Sequence, residues 1–515
     1  MRTFYACALA ISACIMLGCA HDAPVDPGLG KDTRLAQAYN IGAVPIFPRP
    51  LDGDTRFFYD ADTSSILNGS NGYDWTDANG RHWAVAVSLA EPNIQPDSGR
   101  WISYRFLRCD VNQGPETVSI LRDVVLDAQV PPDPSPSLPA NVRFARVASC
   151  YLESPEYPEY FFFVEVTIVF QIWFAAENRW WVGIHRMGFD PAAFLNINTI
   201  QPLWTRTNYL KDGVSPYGVM MPDVAYDPRN NNGTLLAVFT KYATANNAWV
   251  SGDCGFRDWG GDGKTVNWVA APYPYYQMLD HNGFHPRVAI GNCTLGGVQP
   301  AWRFGIAYTG ATYVGADQFR AWLSFGLVDS LPGFTDLAIP SPLGYKNAAM
   351  PTIDIGLPNS DHAAIAWTVS RSESWNDVTI MVLDNHGGFY DFDNYGAQSC
   401  YSSPSIAMMN TLGPGFRMAV SYLRSRNPSS QAWNPASVVL MTNVNANPME
   451  TYGTETLVSQ TINGRWDSGA QYTNWYGPST SIAVMDPLYW ILWSSWQNGQ
   501  FGLNQVYGAY GYPEP

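Results

Sequence analysis

The stretch His285-Pro286-Arg287-Val288-Ala289 decides the fold of this chain. The same five-residue pattern, which we call the proline motif, occurs four times, around Pro222, Pro286, Pro351 and Pro404. Proline-free echoes lie at residues 145–148 and 481–483. The four prolines are 64, 65 and 53 residues apart, and recurrence at intervals of tens of residues is typical of a repeat architecture.

Strand-like segments surround each motif. From Phe161 to Phe174, apolar residues alternate with more polar neighbours at period two, which predicts a β-strand. Each interval between motifs is long enough for four strands, and none contains a convincing amphipathic helix. Successive four-stranded antiparallel sheets are the blades of a β-propeller, and seven such sets along the chain predict an all-β, seven-bladed β-propeller.

Closure of the propeller requires a strand from elsewhere, because the last set contains only three strands. We expect residues 34–47 to supply the fourth strand, which closes the ring and removes an exposed sheet edge. Residues 34–515 then form one propeller domain, and a pair of β-sandwiches is the alternative. Within each motif, the proline is expected to open a strand, where its missing N–H costs nothing. The following Val or Ile is expected to pack against the neighbouring blade.

Composition excludes several classes of partner. The net charge is -15 and the isoelectric point is near 4.8, which argues against nucleic acid and against electrostatic binding to anionic lipid. Hydrophobic residues make up 46% of the chain, which is ample for a core. Charged residues make up only 14%, whereas an average soluble domain has roughly 25%. This composition is typical of a β protein with uncharged polar loops.

The first residues resemble a bacterial lipoprotein signal. Arg2 supplies a positive charge, an apolar run extends over residues 5–17, and Leu17-Gly18-Cys19 ends it in the manner of a lipobox. Met16 stands where Leu is commoner in that pattern. The alternative is an ordinary secretory signal that contains an incidental cysteine.

This resemblance implies a lipid-anchored protein. Residues 1–18 would be the signal peptide, Cys19 the lipidated residue and residues 19–33 a flexible tether. Ala20, in place of Asp after the cysteine, implies the bacterial outer membrane, on its periplasmic side or at the cell surface. With the repeats, the chain resembles bacterial β-propeller lipoproteins as a class.

The mouth of the predicted channel is the expected ligand site, because the residues at or just after each proline gather there. The ligand-binding candidates are Arg146, Asp223, His285, Arg287 and Asp354, with Thr352, Ser405 and Ser481 at equivalent positions. Two arginines and an aspartate in equivalent places could bind a carboxylate-bearing sugar, because guanidinium groups match carboxylates. The alternative is that these charges only bridge adjacent blades. Asp354 replaces a small residue, so its carboxylate must be hydrogen-bonded or face the channel.

The sequence contains no recognisable catalytic motif. Residues 258–268 look like a degenerate Asp-box, a turn of sialidase-like propellers, but a Gly-rich hairpin is the favoured interpretation. Asp280, His281 and His285 could ligate a metal, yet this spacing on a loop is weakly informative, so we predict no metal and no cofactor. The favoured function is therefore a binding module for a glycan or protein ligand. A polysaccharide-active enzyme, either a sialidase-like hydrolase or a lyase, and a scaffold subunit of an envelope complex are the alternatives.

Four cysteines repeat one register. We predict disulfides between third and first strands of adjacent blades, from Cys109 to Cys150 and from Cys254 to Cys293, with Cys400 left as a thiol. The alternative is that these four cysteines and Cys400 are all buried thiols.

Overall fold

A computed structural model describes the strands given below and a short 3-10 segment at Val328–Ser330. It also describes residues 176–178, 190, 192–193, 200–201, 218, 227, 299–300 and 339, and its described side chains lie mainly in 145–240, 285–339, 351–368 and 404–422. The strands in chain order are β1 (Val44–Phe47), β2 (Thr55–Phe58), β3 (Ser64–Ile66), β4 (Asn68–Gly69), β5 (Tyr73–Asp74), β6 (Arg81–Pro92), β7 (Trp101–Asp110), β8 (Ser119–Val125), β9 (Val142–Glu153), β10 (Phe162–Phe174), β11 (Arg179–Phe189), β12 (Pro202–Leu210), β13 (Val219–Tyr226), β14 (Leu235–Thr244), β15 (Asn247–Trp259), β16 (Val266–Ala270), β17 (Tyr276–Met278), β18 (Phe284–Cys293), β19 (Ala301–Ala311), β20 (Phe319–Leu327), β21 (Thr335–Ala338), β22 (Asn347–Ile355), β23 (Ala363–Ser372), β24 (Trp375–Leu383), β25 (Phe389–Asp393), β26 (Cys400–Met409), β27 (Arg417–Ser425), β28 (Pro435–Asn443), β29 (Thr454–Asn463), β30 (Thr480–Met485), β31 (Leu488–Trp496) and β32 (Asn504–Gly511).

The described strands form antiparallel meanders, which confirms the predicted all-β class. Four sheets follow one another along the chain: β9–β12, β13–β16 with β17 attached to β15, β18–β21 and β22–β25. The remaining large sheet joins β26–β29, β30–β32 and a group of β3, β6, β7 and β8. Single residue pairs, Asn463 with Trp496 and Phe57 with Asn504, link these groups. The strands on either side of the predicted Gly-rich hairpin, β15 and β16, pair antiparallel with Trp259 opposite Val266, and residues 260–265 lie outside the described residues.

The first strands of the successive groups lie side by side. We use the term first strands for β3, β9, β13, β18, β22, β26 and β30. Each contacts the next in chain order, and β30 contacts β3. At the edge of the last group, β1 pairs antiparallel with β32, with Val44 opposite Gly508.

Among the described residues, no helix is long and apolar enough to cross a membrane.

The hydrophobic core lies between consecutive sheets. One buried cluster joins Val169 of the β9–β12 sheet to Val224 and Phe239 of the next. Further clusters occupy the next two junctions, where Val288 and Ile353 are buried against the preceding sheet. The Val or Ile of the proline motif therefore packs across a sheet junction, as the sequence predicted. Burial of apolar surface at every junction stabilises the stack of sheets.

The prolines do not open strands, so this expectation from the sequence was wrong. Pro222 lies inside β13, and the other three lie inside β18, β22 and β26. In β13 the register shifts between Met220 and Asp223, so that Phe239 alone faces two residues. This β-bulge leaves the proline outside the ladder of hydrogen bonds, which is why a residue without an N–H is tolerated in mid-strand.

A buried aromatic residue faces each of these bulges. The same register shift recurs in β18, β22 and β26, and also at the proline-free echo in β9. The aromatic residues on the second strands are at most 1% exposed, and they are Phe170, Phe239, Tyr308, Trp367 and Tyr422. The repeat thus has two components, a motif on one strand and an aromatic side chain opposite it.

Side-chain acceptors hold each first strand to its neighbour. Asp223 Oδ2 accepts a hydrogen bond of 2.9 Å from the Val288 N–H, and Ser405 Oγ accepts one of 3.2 Å from the Ile482 N–H. In both cases the third residue of one motif binds the fourth residue of the next. We call this hydrogen bond the motif latch.

A second set of acceptors lies on the second strands. Gln171 Oε1 accepts from the Met221 N–H at 3.0 Å, and Thr240 Oγ1 accepts from the His285 N–H at 3.2 Å. Gln171 and Thr240 each follow the aromatic residue of their sheet, and Met221 and His285 are the first residues of their motifs. The backbone at each bulge is therefore fixed from the preceding sheet.

Candidate functional site

Three consecutive first strands bring Arg146, Asp223 and Arg287 together. Each residue occupies the third position of its motif, on β9, β13 and β18 respectively. The charges of both arginines act on the Asp223 carboxylate. The sequence had placed these three residues in equivalent positions, and the structure shows that equivalence in register becomes proximity in space.

Asp223 lies between opposing influences on its pKa. Burial raises the pKa of its carboxyl above the ordinary value, and this is the largest effect. The positive charges of Arg287 and Arg146 lower it, as do hydrogen bonds from the N–H groups of Val288 and Val224.

The two arginines differ in how far water reaches them. Arg146 is 5% exposed and donates from Nη1 to the Ala145 carbonyl at 3.1 Å, whereas Arg287 is half-buried. A guanidinium group carries five donors and no acceptor. Neither arginine can therefore form the motif latch that Asp223 and Ser405 form from the same position.

His285 lies on β18, two residues before Arg287, at the bulge. Its φ angle is 56°, in the left-handed region, and its side chain is half-buried. The structure thus places His285 on the same first strand as one member of the arginine pair.

Asp354 lies elsewhere, on β22, and it has a structural partner. Its Oδ2 accepts from the Met408 N–H of β26 at 2.6 Å, and its Oδ1 accepts from the Ile355 N–H at 2.9 Å. Burial raises the pKa of Asp354 to about 7, although both hydrogen bonds act to lower it. Its carboxylate is hydrogen-bonded, as the sequence required, and it holds two first strands together.

A buried polar network went unnoticed in the sequence. Glu165 and Arg186 are 0% and 1% exposed, and Glu165 Oε1 lies 2.7 Å from both Nε and Nη2 of Arg186. The Tyr226 hydroxyl donates to the same oxygen at 2.8 Å and also contacts Thr167 Oγ1. The network crosses from the β9–β12 sheet to β13, so it fixes the junction on which Arg146 and Asp223 lie.

Several predicted sites lie outside the described part of the chain. Cys19, the tether, Asp280 and His281 are among them, and so are the side chains of Ser481 and of the cysteines other than Cys293. Cys293 is buried at the end of β18, and the described side chains show no disulfide, so the two bridges stay predictions. Within the described residues, no group of three or more His, Cys, Asp or Glu side chains could hold a metal ion.

Comparisons with known proteins find low similarity to several solved structures. No protein-family profile and no curated protein matches the sequence. An α-L-arabinanase of Penicillium chrysogenum complexed with arabinobiose is similar at a TM-score of 0.38, with 11% identity, 80% of this chain covered and 99% of that one. A levansucrase mutant of B. megaterium is similar at a TM-score of 0.36, with 9% identity and coverage of 81% and 90%.

A Trypanosoma rangeli sialidase in complex with the inhibitor DANA is also similar, at a TM-score of 0.36 and 10% identity. The alignment covers 72% of this chain and 55% of the sialidase, so the chain spans about half of that protein's length. At TM-scores below 0.5, these similarities assign no activity to the chain. They describe an all-β protein that is similar in part to sialidases, arabinanases and levansucrases.

Proposed function

We propose that residues 34–515 form a seven-bladed β-propeller closed by the N-terminal strand. The contacts of each first strand with the next, including β30 with β3, support this arrangement. The pairing of β1 with β32 supports closure by a strand from the other end of the chain. Deleting residues 34–47 should then destabilise the whole domain, whereas deleting residues 21–30 should leave its unfolding temperature unchanged. Equal tolerance of both deletions would contradict the closure.

We propose that the protein is a binding module whose ligand carries a carboxylate, with a glycan as the favoured class. The observation that carries this proposal is the gathering of Arg146, Asp223 and Arg287 on three consecutive first strands. The charges of two guanidinium groups act on a single carboxylate, so these three side chains together carry a positive charge in either protonation state of Asp223. Bidentate pairing of arginine with a carboxylate is a strong, geometrically specific interaction.

The repeat itself supports a role beyond assembly for the two arginines. At the third motif position, Asp223 and Ser405 each accept the N–H of the next first strand. Arg146 and Arg287 lack an acceptor, so at these two positions the chain gives up the motif latch. The protein has a net charge of -15, so two arginines at these positions create a local positive region that attracts an anionic ligand.

The test uses substitutions that the repeat already shows to be compatible with the fold. Arg287→Ser and Arg146→Ser place the residue found at Ser405 into the equivalent positions. We expect the purified full-length protein to bind carboxylate-bearing glycans on an array, and each variant to lose about tenfold or more in affinity. Arg287→Ser should keep the wild-type stability, because Arg287 is only half-buried. Arg320→Gln is the matched control, because it removes one positive charge from the exposed surface of β20 in the same sheet as Arg287.

Two results would contradict this proposal. One is binding only to neutral glycans, and the other is unchanged affinity in both serine variants. Glycans that bind are then incubated with the protein, and product release would favour the polysaccharide-active enzyme over the binding module. A protein that binds no glycan but retains specific protein partners through its rim would favour the scaffold.

We further propose that the propeller is held at the bacterial outer membrane by a lipid on Cys19. The apolar run and the Leu17-Gly18-Cys19 sequence support this localisation. Replacing Cys19 with Ala should move the protein from the membrane fraction to the soluble fraction. Mass spectrometry of the wild-type N-terminus should find an acyl group on Cys19, and a wild type without one would refute the anchor.

A further inference from the structure

Two bulges of the repeat hold non-glycine residues in a left-handed backbone conformation. Met221 and His285 are the first residues of their motifs, and both have a φ angle of 56°. Each N–H donates to an acceptor on the preceding sheet, Gln171 for Met221 and Thr240 for His285. The two positions are therefore equivalent in backbone geometry and in hydrogen bonding.

The left-handed conformation is unfavourable for residues that carry a Cβ atom, and glycine adopts it without this strain. The hydrogen bond of each bulge uses the backbone N–H, which glycine also has. The side chain is thus not required for the bulge itself, and its retention at each position needs a separate physical reason.

Burial supplies that reason for Met221 and does so much less for His285. Met221 is 5% exposed, so its apolar side chain contributes packing that offsets the strain. His285 is only half-buried and carries a polar imidazole, so apolar packing offsets less of the strain there than it does at Met221. Strained residues that packing does not explain are concentrated at functional sites.

We propose that His285 contacts the ligand beside Arg287 and contributes to its recognition. This inference rests on the proposed carboxylate-binding function and adds a residue to that site. A β-bulge changes the direction of a side chain relative to the regular strand, and here the bulge lies two residues before Arg287 on β18. An imidazole can donate a hydrogen bond to a ligand carboxylate or exchange hydrogen bonds with a sugar hydroxyl, which a second apolar residue could not do.

The central experiment replaces His285 with Gly in the full-length protein. Glycine keeps the N–H that donates to Thr240 and adopts a φ of 56° without strain, so the variant should unfold at the wild-type temperature or above it. Its affinity for the acidic monosaccharides glucuronate and galacturonate, measured by calorimetry, should fall about tenfold because one ligand contact is lost. Glucose and galactose serve as neutral probes of the same shape.

Two further variants separate contact with the ligand from maintenance of the bulge. Thr240→Val removes the acceptor of the His285 N–H, so it should lower stability and change affinity much less than His285→Gly does. His285→Asn also tolerates the left-handed conformation and keeps a donor, so it should recover part of the lost affinity. If His285→Gly fails to fold, the affinity of His285→Asn is measured instead, and it should be lower than that of the wild type at unchanged stability.

The outcomes distinguish this inference from the function on which it rests. If the wild type binds neither acidic monosaccharide, the carboxylate-binding function is wrong and the role of His285 is wrong with it. If the wild type binds, Arg287→Ser abolishes binding and His285→Gly binds as the wild type does, only the role of His285 is overturned. Equal loss of affinity in Thr240→Val and His285→Gly would assign His285 to the bulge instead of the ligand.

Discussion

Removing the charge of Glu165 should strongly destabilise the protein. Glu165→Gln keeps the shape of the side chain but leaves the Arg186 guanidinium, which is 1% exposed, without its carboxylate. Breaking a buried ion pair from one side costs about 3 to 5 kcal/mol, because a desolvated charge is left uncompensated. A domain of ordinary stability has only about 5 to 15 kcal/mol in total, so the variant should unfold at much lower denaturant concentration.

The structure also supplies graded comparisons for this effect. Tyr226→Phe removes one hydrogen bond to the same carboxylate and should cost about 1.5 to 3 kcal/mol. The exposed pair of Glu177 and Arg179 lies 3.5 Å apart, so Glu177→Gln should cost at most about 1 kcal/mol. The double variant Glu165→Leu with Arg186→Met removes both charges and should recover most of the loss.

The assay is urea denaturation followed by tryptophan fluorescence, with free energies of unfolding compared between the wild type and these variants. The expected order of destabilisation is Glu165→Gln, then Tyr226→Phe, then Glu177→Gln. The reasoning is refuted if Glu165→Gln is no more destabilising than Glu177→Gln. It is also refuted if the double variant is as unstable as Glu165→Gln alone, because removing the unpaired charge of Arg186 would then have recovered no stability.

Three further predictions concern pH and the cysteines. Burial raises the pKa of Asp354 from 3.8 to about 7, so between these pH values its carboxyl takes up a proton on folding. Its contribution to stability should therefore decline by at most about 4 kcal/mol as the pH rises from 4 to 7. Asp354→Asn should remove this pH dependence. The pH dependence due to His185 has the opposite sign, because burial lowers the pKa of its imidazole from 6.5 to about 4. Stability should fall by at most about 3 kcal/mol as the pH falls from 6.5 to 4, and His185→Gln should lack this effect. Variants with unchanged pH slopes would contradict either assignment. Peptide mapping without reduction should find two disulfides, Cys109 with Cys150 and Cys254 with Cys293. A link between other cysteines would contradict the predicted register.

The sequence predicted the strands well because their periodicity is local. The alternation predicted from Phe161 to Phe174 corresponds to β10 (Phe162–Phe174). Its polar members Glu165, Thr167 and Gln171 all form hydrogen bonds with residues of β13. Their polarity could be read from the sequence, whereas their partners on β13 lie 50 or more residues away. Pairing over such distances depends on how whole sheets stack, and no local pattern specifies it.

The bulges were missed because a bulge is a property of two strands. The proline motif suggested a strand start, since prolines are common there. Only the register with the second strand shows that two motif residues face one aromatic. A signal was nevertheless present, because Tyr308-Thr309 and Trp367-Thr368 repeat the pair Phe239-Thr240 on the strand that follows each motif. An aromatic residue followed by threonine is thus a second recurring feature, and its pairing with the proline motif predicts the bulge.

The motif latch explains why equivalent positions carry such different residues. A first strand must be held to its neighbour, and an acceptor at the third motif position achieves this through a half-buried polar group, as Asp223 and Ser405 show. Where apolar packing at the junction is extensive, as between β18 and β22, the latch can be given up. Arg287 occupies the equivalent position on β18, where its charge acts on Asp223 and its guanidinium has no acceptor for a latch. The register of the first strands thus distinguishes positions that form the latch from positions that cannot form it. We expect serine in place of either arginine to add a latch and to remove the proposed contact with the ligand.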